Sequence, residues 1–79
     1  MQRTIKLIEQ ITKIQPSISL EGLLDELEYP AFLQKIPVDE VVKTATLFIA
    51  KRNAIQTGQT QIVTHKTKSA TEIIEVTPN

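Results

Sequence analysis

Along most of the chain, apolar residues recur at helical intervals, and toward the end they give way to β-branched runs. Over residues 3–15, Ile5, Leu7, Ile8, Ile11 and Ile14 fall on one half of a helical wheel, and Lys6, Glu9, Gln10 and Lys13 on the other. The adjacent pair Leu7–Ile8 breaks any strand alternation, so the pattern predicts a helix, ended by Pro16 because the residue before proline leaves the α region. Ser19 is placed as an N-cap for a second helix in which Leu20, Leu23, Leu24 and Leu27 make an i, i+3, i+4, i+7 stripe. Glu21 suits the positive pole of its first turn. Gly22 weakens this helix by about 1 kcal/mol relative to alanine, so the helix must be held by packing, and in a tight bundle the glycine also permits a close backbone approach. Tyr29-Pro30 is expected to close it.

Pro30 then opens a short helical turn, Ala31 to Ile36, carrying Phe32, Leu33 and Ile36. Pro37 fits the first position of a third helix over residues 38–56, with Asp39 and Glu40 in its first turn. Its main stripe is Val38, Val41, Val42, Ala45, Phe48, Ile49 and Ile55, and Leu47, Ala50 and Ala54 form a thinner second line. Two apolar lines predict cover on both sides, hence a central helix, and Gly58 supplies its stop. Beyond it, Gln61–Thr67 and Glu72–Val76 are rich in Ile, Val and Thr, with Lys68 to Thr71 as a four-residue link. They predict a hairpin within residues 60–76, although no Asn-Gly or Asp-Gly marks the turn, and the polar, terminal position also suits an unfolded tail. A lone hairpin is marginal in water, so it needs a floor, either the central helix or a strand from another molecule. The expected fold is α+β and mostly helical: one domain over residues 1–79, with three main helices, a short helical turn and a C-terminal β-hairpin.

Composition narrows the classes. The 79 residues contain no cysteine, which excludes disulfides and thiolate metal sites. No apolar run approaches the ~20 residues of a membrane span. Charged residues interrupt the N-terminal segment where a secretory signal would be apolar, so no membrane association and a cytoplasmic location are expected. The formal net charge of zero argues against a surface built wholly for nucleic acid. It hides an uneven distribution: about +2 over residues 1–16, about −5 over 17–42 and about +3 over 43–58. Such segments are commonly solvated helix faces, but they also permit pairing of acidic with basic surfaces.

Chemistry is sparse. His65 is the only histidine, and Ser17, Ser19 and Ser69 lack the surroundings of an activated nucleophile. Asp25, Glu26 and Glu28 cannot all share one helical face. With Gly22 and Gly58 as the only glycines, neither a phosphate-binding loop nor a dinucleotide fingerprint can be built. No catalytic residue, metal or cofactor is therefore expected, and the chain is not read as an enzyme. The expectation is a non-catalytic protein–protein interaction module, a small regulatory adaptor or assembly subunit acting as a homodimer. Its contact residues are placed on the hairpin, Ile62, Val63, Ile73 and Ile74, because only one of each adjacent pair can face the protein's own core. The alternative is a small DNA-binding transcriptional regulator with a winged-helix-like hairpin, in which Lys51, Arg52, Lys66 and Lys68 meet phosphates or another acidic surface.

Overall fold

Thr4 and Ile8 stand one turn apart on the first helix, and both are fully buried. A computed structural model of the chain describes residues 2–79, and among these it holds α1 (Gln2–Ile14), α2 (Leu20–Leu33), α3 (Val38–Thr57), β1 (Gln61–Lys66) and β2 (Thr71–Val76). The chain divides into two compact units, the first running up to Ala45 and the second spanning Thr46–Asn79, with the division falling inside α3. The mostly helical α+β class with a C-terminal antiparallel hairpin is what the apolar periodicities imply.

In the first unit, α1 packs on α2. The covered face of α1 is centred on Thr4 and Ile8, leaving Ile5 and Ile14 exposed, a rotation away from the purely apolar stripe. Thr4 is admitted to the interior because its Oγ1 donates to Glu40 Oε2 at 3.2 Å, which removes the penalty of a buried hydroxyl. Ser19 caps α2 as its sequence position implies: its Oγ accepts from the Gly22 N–H at 3.1 Å. A side chain at Gly22 would meet Ile18 Cγ1 at 3.0 Å, so its near neighbour is the preceding turn and not the backbone of another helix.

The short separate turn expected after Pro30 is absent, because α2 runs through Pro30 to Leu33. Interior proline removes a hydrogen bond and crowds the preceding turn, at about 3 kcal/mol. The offset is burial: Leu23, Leu27 and Ala31 follow each other at i, i+4, i+8 and all are buried, so stopping at Tyr29 would uncover the last of them. The helix ends instead in a Schellman turn. Lys35 takes φ +57°, its N–H donates to Phe32 O at 3.1 Å, and Ile36 N–H donates to Ala31 O at 3.0 Å. Arg3 Nη1 donates to Gln34 O at 3.0 Å, bringing a cation to the negative pole of α2. Pro37 precedes α3 and does not open it, since its carbonyl accepts from Val41 N–H at 3.1 Å.

In the second unit the buried side chains include Ile49, Ala50, Ala54 and Val63. The thinner line of alanines is thus the better covered one, and Ile55 of the main stripe is exposed. Gly58 ends α3 at φ +70°, with its N–H on Ala54 O at 2.8 Å. The strands pair antiparallel from Gln61 opposite Val76 to Lys66 opposite Thr71, one residue off the expected link. Two-residue hairpin loops usually need positive φ, which neither Lys68 nor Ser69 has. Thr67 substitutes its side chain: Oγ1 accepts from Ala70 N–H at 3.1 Å and donates to Ala70 O at 2.9 Å.

Candidate functional site

The register sorts the hairpin residues onto two faces. Residues directly opposite share a face, so Val63 and Ile74 lie together, with Gln61, Val76, His65 and Glu72 on the same side. The other side carries Ile62 opposite Glu75, Thr64 opposite Ile73 and Lys66 opposite Thr71. Val63 is 7% exposed, whereas Ile62 and Ile73 are 61% and 73% exposed. Ile62 and Ile73 are diagonal neighbours across the ladder, close enough for their side chains to make one apolar patch. Of the four hairpin residues singled out in the sequence, two therefore form an outward surface, and Val63 is taken up by the interior.

The basic residues do not assemble in the same way. Lys51 Nζ donates to the backbone oxygens of Thr77 and Asn79, each at 2.7 Å, and so holds the segment after β2. Arg52 is half-buried on α3, Lys66 ends β1 on the outward face, and Lys68 stands exposed in the link. They are distributed over three elements, and Lys51 is held within the chain.

A second surface lies in the first unit, where the sequence pattern gave no warning of it. The end of α2 and the beginning of α3 enclose a groove of about 710 Å³. Ala31, Ile36 and Val41 are its buried floor, and Leu24, Phe32, Val38 and Val42 its apolar walls. Phe32 and Val38 are 76% and 75% exposed, and together on one groove they make a contiguous apolar surface. Asp25, Glu28 and Lys35 supply the polar rim. Continuation of α2 through Pro30 makes this arrangement, since Asp25, Glu28 and Phe32 then stand at i, i+3 and i+7 on one helical face. The left-handed turn at Lys35 folds Ile36 into the floor and starts α3 beside it. Asp25, Glu28 and Phe32 also line an adjoining hollow of about 440 Å³ with Tyr29. Proline rules assign Phe32 to a separate turn and its apolar character places Val38 in the central stripe, so the sequence pattern does not bring the two together.

Among the described residues, no three potential metal-ligating side chains of His, Cys, Asp or Glu come together, and no helix is long and apolar enough to cross a membrane. No protein-family model, curated protein or solved structure matches this chain.

Proposed function

We propose that the chain is a non-catalytic protein–protein interaction module of the cytoplasm, a small regulatory adaptor or assembly subunit that acts as a homodimer. The observation that carries this reading is the outward patch of Ile62 and Ile73 on the hairpin. Covering a large aliphatic side chain is worth roughly 1.5–3 kcal/mol, and a two-fold axis through the patch covers both residues of both copies at once. In a two-stranded sheet both strands are edge strands, which supports further backbone pairing beside the patch. The DNA-binding alternative receives less support, because the basic residues it needs sit on three different elements and Lys51 is already hydrogen-bonded. Sedimentation equilibrium at micromolar concentrations tests the reading. The wild type is expected at twice the chain mass and Ile62→Lys at the chain mass with unchanged helicity. A wild type that is monomeric throughout overturns it.

A further inference from the structure

We propose that the groove between α2 and the start of α3 receives a basic amphipathic helix from another protein. This rests on the interaction-module reading in its general form and makes no use of the hairpin patch. At about 710 Å³ the groove falls within the roughly 300–1,000 Å³ of clefts that bury small-molecule ligands, room enough for several anchoring side chains. Its floor is buried and its walls are apolar, the arrangement into which an amphipathic helix lays residues spaced i, i+3 or i+4, and i+7.

Charge selects the occupant. The groove's rim carries two carboxylates, Asp25 and Glu28, against the single cation Lys35. Asp25 and Glu28 line both the groove and the neighbouring hollow, and as like charges at i, i+3 they repel one another. A lysine or arginine arriving there relieves that repulsion and lies beside the rings of Tyr29 and Phe32, which attract cations through their faces. The apolar anchors of the partner thus enter the groove while its flanking cations enter the acid–aromatic hollow. An acidic helix meets repulsion at the same place.

The test uses the full chain and a fluorescein-labelled helical peptide of roughly fifteen residues, leucines at i, i+4 and i+7 with lysines flanking, read by anisotropy. A counterpart carries glutamate in place of each lysine. The lysine peptide is expected to bind in the micromolar range and the glutamate peptide at least tenfold more weakly. Phe32→Ala, at an exposed position, lowers affinity for the lysine peptide at least tenfold without loss of helicity. The double variant Asp25→Lys, Glu28→Lys reverses the preference between the two peptides. Equal binding of both peptides, no binding, or indifference to Phe32→Ala overturns the proposal. So does self-association abolished by Phe32→Ala and not by Ile62→Lys, which assigns the groove to a second copy. Ile62→Lys measured in parallel keeps the two readings apart: dimerisation is lost there while peptide affinity stays unchanged.

Discussion

Single residues decide where this chain departs from its own pattern. Gly58 and Lys35 both adopt the left-handed backbone at a helix end, yet only the glycine announces it. A lysine in that conformation costs about 1–2 kcal/mol locally and is held by the two hydrogen bonds of its Schellman turn, which no sequence pattern marks. Thr44 is a residue of another kind. It is buried, and its Oγ1 is without a hydrogen-bond partner, in contrast to Thr4, whose hydroxyl reaches Glu40. An unsatisfied buried hydroxyl costs roughly 1–3 kcal/mol, and valine has nearly the same shape without it. Thr44→Val is therefore expected to stabilise the protein by about 1 kcal/mol, seen as a rise of roughly 4–8 °C in the thermal midpoint for a domain of this size. A lowered midpoint would mean that the hydroxyl is satisfied in solution.

At the scale of elements, the boundaries written by local chemistry were legible and those set by burial were not. The Ser19 cap, the Gly58 stop and the hairpin's β-branched runs depend on residues within a few positions, and each is found within one residue of where its sequence places it. The end of α2 depends instead on whether Ala31 continues the buried line of Leu23 and Leu27, a tertiary fact that outweighs proline's local preference. The same competition turns α1, whose hydrogen-bonded Thr4 is buried while the more apolar Ile14 is left in solvent. It also explains why the hairpin patch could be foreseen and the groove could not. Strand alternation separates Ile62 from Val63 without further information, whereas Phe32 joins Asp25 and Glu28 only once α2 is known to pass Pro30. Proline inside α2 is tolerated, not required. Pro30→Ala is expected to raise stability by about 1–3 kcal/mol, the interior penalty of proline, in a denaturant titration with unchanged slope. A loss of stability would show that proline itself is needed for the packing of Ala31 and Ile36.

For the whole molecule, a net charge of zero conceals two surfaces of different physics. The hairpin patch is a pair of aliphatic residues with Lys66 and Glu75 on the same face, balanced in charge. The groove is apolar within, with Asp25, Glu28 and Lys35 at its rim. Association through the first is driven by the removal of apolar area from water, which moderate salt barely alters. Association through the second gains from attraction between opposite charges, which salt screens once the Debye length falls below their separation. Raising sodium chloride from about 0.1 M to about 1 M shortens that length from about 10 Å to about 3 Å. The dimer dissociation constant is expected to change less than threefold over this range, while affinity for the lysine peptide falls by tenfold or more. Isothermal titration and sedimentation on the same preparation check both. A dimer that dissolves at high salt would place its contacts on the acidic and basic segments and not on Ile62 and Ile73. Salt-insensitive peptide binding would mean that leucine burial alone fills the groove, with Asp25 and Glu28 as bystanders.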